Sequence, residues 1–184
     1  MSAFNEETVL TVHHWTDLER GLGEMARVAR KRAVLLTWVP DAVPFWLTED
    51  YFPEIAAHDR RIFPPSAALA TLLERVLGPV RMAPVPVSHD CTDGFLCAYW
   101  RRPEAYLGAE TRGAISSFAR IDAAAGLARL GADLADGSWV ERNRRLLSLD
   151  SLDLGYRIAC CEIDRSPADG TSSLAAAARE ATTK

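Results

Sequence analysis

The consecutive histidines His13 and His14 are the side chains with the clearest potential for chemistry. They follow a short apolar run, residues 8–12, and precede Trp15. A histidine at the end of a strand can shuttle a proton near neutral pH or hydrogen-bond a carboxylate. Consecutive side chains point in different directions, so we expect only one of the two, His14, to face a ligand. The alternative is that either histidine packs beneath the sheet edge and satisfies a loop carbonyl.

Two further polar segments could contribute a base or a carboxylate. His89 precedes Asp90 in the order of a base and its orienting carboxylate, but adjacent residues seldom hydrogen-bond in that way, and a structural role in a loop is the alternative. Asp41 follows Pro40 and is either a carboxylate of the site or a turn residue.

Aromatic residues are concentrated outside the strand-like runs. Aromatic side chains in loops above a sheet edge suit an apolar substrate pocket, and the alternative is a small satellite core. The cluster consists of Phe45, Trp46, Tyr51, Phe52, Tyr99, Trp100 and Tyr106.

Motifs for nucleophilic or metal catalysis are missing from the chain. The sequence contains no G-x-S-x-G, H-E-x-x-H or G-x-x-x-x-G-K-[ST] pattern. The cysteines are not spaced as C-x-x-C with matching histidines, so a zinc site or redox protein built on Cys91, Cys160 and Cys161 is only a third interpretation. We expect no metal.

The composition is that of a single globular domain of 184 residues. The net charge of -4 does not favour nucleic acid as a partner, and the basic runs 30–32 and 142–145 are interpreted as a helix end and a solvated face rather than polyanion sites. No apolar run reaches the ~20 residues that span a bilayer. Glu6 and Glu7 stand where a signal peptide would need positive charge, so we expect a cytoplasmic protein with no membrane contact.

The elements that must position these residues begin with a βαβ unit. The apolar runs 8–12 and 33–38 predict two strands buried on both faces, as in a parallel sheet. Between them Thr16 and Glu19 form a capping box, and apolar residues follow at helical spacing. A strand, helix and strand in this order predict parallel strands with a right-handed crossover.

The remaining pattern alternates helices and strands. It predicts a short helix over 53–58, a longer helix that stops at Gly78 and Pro79, and an edge strand over 80–87. A helical insertion follows, with helices over 92–100, 110–119 and 122–135, and then a last strand over 154–163. Residues 164–184 are small and polar, and we expect them to be disordered.

Ligands of open parallel sheets gather at the carboxyl ends of the strands. Residues 13–15 and 39–41 follow the two strands of the βαβ unit and should be neighbours in space. Residues 88–91 reach the same edge only if the third strand is also parallel.

These residues carry a resemblance to a known family. Residues 8–38 resemble the second half of a class I S-adenosylmethionine-dependent methyltransferase, in which a histidine-containing loop follows the fourth strand. The pattern L-x-E-x-x-R-V-x of the next helix is present here from Leu22 to Ala29. The resemblance implies an α/β fold, a partial Rossmann-like sheet of strands four to seven. Residues 1–163 would form the C-terminal part of the domain, with residues 88–153 as a helical substrate-side insertion before the last strand.

The resemblance also implies a function. The cofactor would be S-adenosylmethionine, bordered by His13, His14 and Trp15, and the methyl acceptor would be a small molecule. His14 or His89 would take a proton from an oxygen or nitrogen acceptor. The residues expected to border the acceptor are Asp41, Trp46, Tyr51 and Trp100, together with His89.

One part of the family pattern is missing. The glycine-rich loop G-x-G-x-G after the first strand and the acidic residue after the second strand have no counterpart in this sequence. The strand from Thr8 to Val12 would then be an exposed apolar edge, which invites self-association or a complementing chain. Cofactor binding would be weakened, and the alternative function is a non-catalytic methyltransferase-like remnant that serves as a binding or regulatory partner.

Overall fold

A computed structural model describes residues 6–9, 15–41 and 43–163, with the backbone alone for 6–9. The strands are β1 (Glu6–Val9), β2 (Arg32–Trp38), β3 (Val80–Pro84), β4 (Val87–Ser88), β5 (Ser151–Leu152) and β6 (Tyr156–Glu162). The α-helices are α1 (Leu18–Val28), α2 (Pro53–Ile62), α3 (Ser66–Leu77), α4 (Ala109–Ala114), α5 (Ala124–Ala135) and α6 (Ser138–Asn143). A π-helical turn (Leu47–Tyr51) and 3₁₀ turns (Pro103–Leu107, Ser116–Arg120, Leu146–Ser148) lie between them. The predicted disorder of 164–184 falls outside the described residues.

The βαβ unit is confirmed. β1 and β2 pair in parallel, with Glu6 opposite Ala33 and Val9 opposite Leu36. The helix between them is capped by Asp17, which accepts a hydrogen bond from the backbone of Arg20 at 2.9 Å, so the prediction of a Thr16 capping box was wrong by one residue. A carboxylate one position closer to the helix satisfies the free N–H groups of its first turn and also complements the helix dipole.

The main sheet has the order β1-β2-β6-β3, and β6 runs antiparallel to both of its neighbours. β3 therefore points in the same direction as β1 and β2, and all three strands have their carboxyl ends at one edge of the sheet. β3 lies at the other end of the sheet from β1, which confirms the edge position predicted from its prolines.

The burial of β2 corrects the expectation that both of its faces are buried. Ala33, Leu35 and Thr37 are buried, while the residues between them are only half-buried. One face packs against α1 and α3 through Leu22 and Leu73, whereas the other face is only partly covered. The antiparallel neighbour β6 explains this alternation, since such sheets need only one fully covered face.

The insertion is less helical than its sequence suggests. Residues 92–100, predicted as a helix, form a series of turns, because the side chains of Trp100 and Tyr106 fix the backbone through hydrogen bonds to carbonyl groups. The Trp100 indole donates to the Val87 carbonyl at 3.1 Å, and the Tyr106 hydroxyl donates to the Leu96 carbonyl at 2.7 Å. The predicted strand 80–87 is also divided, since Val87 pairs with Leu152 in a separate two-stranded sheet.

The later helices of the insertion match their prediction more closely. α5 occupies the predicted range from residue 124, and Asp122 accepts a hydrogen bond from the backbone of Ala124 at 3.0 Å. The predicted helix 110–119 is divided into α4 and a 3₁₀ turn. Together these helices enclose an aromatic core on the second face of the sheet, which contains Phe45, Trp46, Phe52, Trp100, Tyr106, Phe118 and Trp139.

Candidate functional site

A cavity of about 250 Å³ lies where β2 ends and β6 begins, and we call it the Trp38 cavity. Its floor is made by buried residues, among them Asp59, Phe63, Ile115 and Tyr156, while its mouth is bordered by exposed residues such as Arg120. This position at the carboxyl end of a parallel strand is where ligands of α/β sheets gather.

Aromatic rings form much of the wall of the Trp38 cavity. Trp38 and Phe63 meet edge to face with ring centroids 5.3 Å apart, and Phe95 meets Tyr156 in the same way at 5.1 Å. Such contacts add about 0.5–1.5 kcal/mol to the burial of each pair. The wall is therefore a packed aromatic surface rather than a loose loop.

The orientation of Trp38 depends on the turn that leads into β6. Its indole donates a hydrogen bond to the Leu154 carbonyl at 2.7 Å. Gly155 has a φ of +89°, and a side chain at this position would place its Cβ 2.7 Å from the Val39 carbonyl oxygen. Only glycine combines this backbone conformation with this close approach.

Asp59 is the buried carboxylate of the cavity. It is 3% exposed, and its Oδ2 has no hydrogen-bond partner among the described residues. Burial raises the pKa of Asp59 to about 6, against the opposing effect of the nearby Arg120 guanidinium. A carboxyl group with this pKa can exist in either protonation state near neutral pH, which is a common property of functional sites.

His58 and Arg120 form a polar pair at the mouth. An Arg120 guanidinium nitrogen lies 2.9 Å from His58 Nε2. Arginine can only donate hydrogen bonds, so Nε2 must be the acceptor and cannot carry a proton in this contact. The cavity thus has a fixed positive charge at its entrance and an acidic group at its base.

The buried Cys97 contacts Tyr156, which forms part of the cavity floor. Burial, with a smaller contribution from the charge of Asp59, raises the pKa of Cys97 to about 12. Burial likewise raises the pKa of Tyr156 well above its ordinary value. Both groups therefore stay protonated at neutral pH, and Cys97 is not a nucleophile.

Trp15 is the one predicted cofactor residue that the structure describes. It is half-buried and packs against Gly21, where a Cβ would come within 2.2 Å of the indole ring. It borders a cleft of about 60 Å³ together with Leu18, Thr37 and Phe63. His13 and His14 lie outside the described residues.

The predicted polar residues lie away from the Trp38 cavity. The Asp41 carboxylate accepts a hydrogen bond from the backbone of Ser66 at 3.1 Å, so it caps the start of α3. His89 is half-buried, and its backbone N–H donates to the Asp150 carbonyl at 2.9 Å. Asp90 accepts from the Ser88 hydroxyl, and this hydrogen bond lowers the pKa of Asp90.

The predicted substrate-binding aromatic residues lie in the aromatic core, which was the alternative considered for them. Trp46 is 8% exposed and donates to the Trp100 carbonyl at 2.9 Å. The Tyr51 hydroxyl donates to Asp133 at 2.7 Å and accepts from Arg142 at 2.7 Å, at the border of a shallow surface recess. Desolvation raises the pKa of Tyr51 to about 12. Trp46, Tyr51 and Trp100, the three aromatic residues predicted to bind the substrate, do not line the Trp38 cavity.

Sequence reasoning missed most of this cavity, although a signal for Asp59 was present. Ile55, Asp59 and Phe63 follow one another at four-residue spacing, which places the carboxylate on the buried face of α2. A charged residue on an otherwise apolar helix face is unusual and suggests a site.

The described part of the chain contains no group of three or more side chains suited to hold a metal ion. No helix in the same part is long and apolar enough to cross a membrane.

Comparison with solved structures shows what class of fold this is. A crystal structure of a "Putative methyltransferase from antibiotic biosynthesis pathway" of Anabaena variabilis ATCC 29413 matches the chain with a TM-score of 0.79 and 37% sequence identity. The match covers 85% of this chain and 65% of the Anabaena protein. No protein-family model and no curated protein matches the chain. The chain therefore has a methyltransferase fold and spans about 65% of the length of this structural relative.

Proposed function

We propose that this chain takes part in the transfer of a methyl group from S-adenosylmethionine to a small molecule, and that the Trp38 cavity holds the acceptor. The observation that carries this proposal is the similarity to the Anabaena protein whose printed name is "Putative methyltransferase from antibiotic biosynthesis pathway". We also propose that β1, β2, β3 and β6 correspond to strands four, five, six and seven of a class I methyltransferase.

The position of the Trp38 cavity supports the proposal. β1 and β2 are parallel neighbours, so a ligand beyond the end of β1 would lie beside a ligand beyond the end of β2. Phe63 lines both the Trp38 cavity and the cleft beside Trp15. Methyl transfer needs alignment and a desolvated surface more than a protein nucleophile, and the buried aromatic floor of the Trp38 cavity supplies such a surface.

The described residues do not fit the whole cofactor. The cleft beside Trp15 is about 60 Å³. Ligand pockets usually have volumes of about 300 Å³ or more. We propose that His13 and His14 contact the cofactor next to Trp15 and that the remaining contacts come from outside the described residues.

The edge of the sheet offers a place for those contacts. Among the described residues β1 pairs only with β2, so its other side can accept another strand. This edge also supports the second candidate function, a sheet-completing partner of another chain.

Isothermal titration calorimetry of the chain with S-adenosylmethionine and S-adenosylhomocysteine tests the proposal, with ATP as the nucleotide control. Because part of the expected cofactor contacts is missing from the described residues, we expect weak, saturable heat with the first two ligands at millimolar concentration and none with ATP. If neither ligand gives heat at millimolar concentration, the chain does not bind cofactor by itself, and the partner function becomes the better explanation. Sedimentation velocity over a range of concentrations then tests association at β1.

A further inference from the structure

The size of the Trp38 cavity limits what it can hold. At about 250 Å³ it is smaller than the pockets of ~300–1,000 Å³ that enclose drug-sized ligands. A molecule with one ring and short substituents is the size that such a space accepts.

The walls favour an aromatic ring. Trp38, Phe63, Phe95 and Tyr156 present ring faces and edges to the cavity. A planar ligand can meet them in the same edge-to-face manner in which they already meet one another.

Asp59 favours a ligand that donates a hydrogen bond. Its carboxylate is nearly fully buried, and its Oδ2 has no partner among the described residues. An unpaired buried acceptor costs about 1–3 kcal/mol, and a ligand hydroxyl that pairs with it recovers that cost. A hydrogen bond to an ionised acceptor is stronger than one between neutral groups.

The charges around Asp59 favour a neutral ligand. The Arg120 guanidinium already acts on Asp59 from the mouth, where it also contacts His58. The groups on the inner side, Cys97 and Tyr156, are held protonated by burial. A ligand ammonium would lose its hydration in an aromatic cavity and would gain less from Asp59, whose charge Arg120 already offsets, while a ligand carboxylate would be repelled by Asp59.

We propose that the Trp38 cavity binds a neutral aromatic ring that carries a hydroxyl group, and that Asp59 accepts the hydrogen bond from this hydroxyl. The inference rests on the proposed function in so far as this phenol-type molecule is the acceptor of the methyl group. Asp59 is then the residue that distinguishes a free hydroxyl from one that is already methylated.

Binding of three small probes tests the proposal. The probes are p-cresol, its methyl ether 4-methylanisole and the cation 4-methylbenzylamine, titrated into the whole chain at pH 7.5 and followed by ¹H–¹⁵N NMR shifts. We expect p-cresol to bind about tenfold or more tightly than 4-methylanisole, which is the effect of one hydrogen bond to a charged group. We expect the amine to bind more weakly than p-cresol.

Two variants test whether the preference for p-cresol over 4-methylanisole depends on Asp59. Asp59→Leu keeps the branched shape of the side chain without a hydrogen-bond acceptor. In this variant we expect the affinities for p-cresol and 4-methylanisole to differ by no more than about twofold. Asp59→Asn, which keeps one neutral acceptor, should give an intermediate ratio. Asp150→Leu makes the same change at an exposed position and should keep the wild-type ratio.

Several results would overturn the proposal. These are equal binding of p-cresol and 4-methylanisole to the wild-type chain, tighter binding of the amine, an unchanged ratio in both Asp59 variants, or no binding of any probe at millimolar concentration. No cofactor is present in these titrations, so their failure is distinguishable from a failure of cofactor binding.

Discussion

Replacing Asp59 by asparagine should make the chain more stable at high pH. Burial raises the pKa of Asp59 from 3.8 to about 6, so the folded chain keeps a proton that the unfolded chain loses first. The ionised carboxylate therefore destabilises the folded state. The proton that Asp59 binds in the folded state stabilises the fold at low pH. This contribution to the free energy of unfolding is lost as the pH rises from about 4 to about 6, and it does not return at higher pH.

The magnitude follows from the size of the pKa shift. A shift from 3.8 to about 6 corresponds to about 3 kcal/mol at 1.36 kcal/mol for each unit. Asparagine cannot ionise, so Asp59→Asn avoids this loss. Because the unfolded carboxyl is already more than half ionised at pH 4, about 2 kcal/mol of this difference should appear in favour of the variant between pH 4 and pH 8.

Urea denaturation of both chains at pH 4, 5, 6, 7 and 8 measures this difference. Comparing the two chains at each pH removes the titration of the other carboxyl groups, which both chains share. Asp150→Asn at an exposed site is the control for removing one carboxylate from the net charge. A difference between Asp59→Asn and wild type that stays constant across the series would show that Asp59 is not desolvated, and the account of the cavity floor would be wrong.

Four further substitutions test contacts beside the cavity and away from it. Gly21→Ala should displace the Trp15 ring and lower stability, which would be seen as a shift in tryptophan emission and a lower melting temperature. Gly23→Ala in the same helix is the control: its added methyl group meets no atom within 4 Å, and it should stabilise the chain by up to about 1 kcal/mol. Tyr51→Phe should lower the free energy of unfolding, measured by urea denaturation, by about 1 kcal/mol and leave p-cresol binding unchanged. Weaker binding of p-cresol would show that Tyr51 contributes to the binding site. Gly155→Ala should cost more than 1 kcal/mol because of its positive φ and close contact, and an unchanged melting temperature would contradict that geometry.

Local interactions made the first third of the fold predictable. The capped amphipathic helix between two apolar runs depends on contacts among residues close in sequence, so the pattern alone indicates a βαβ unit. The helix that ends at Gly78 and the edge strand rich in proline were predictable for the same reason.

The sequence was less informative about the insertion, where aromatic side chains override local preference. Residues 92–100 have a helical pattern, yet the hydrogen bonds of Trp100 and Tyr106 to distant carbonyls hold them as turns. The buried Trp46 and Tyr51 looked like candidates for a substrate pocket because their residue types suit both roles. Only packing decides which role each one has.

The sequence by itself determined the βαβ unit, the strand direction within it and the resemblance to a methyltransferase, because these depend on short-range patterns. The tertiary structure alone decided where the Trp38 cavity lies and which residues line it. His58 and Arg120 are 62 positions apart in the chain, and Tyr156 reaches Trp38 only because β6 lies antiparallel beside β2. Such contacts depend on how distant layers pack, so residue spacing can indicate that Asp59 is buried but not that it lines a cavity with Trp38 and Tyr156.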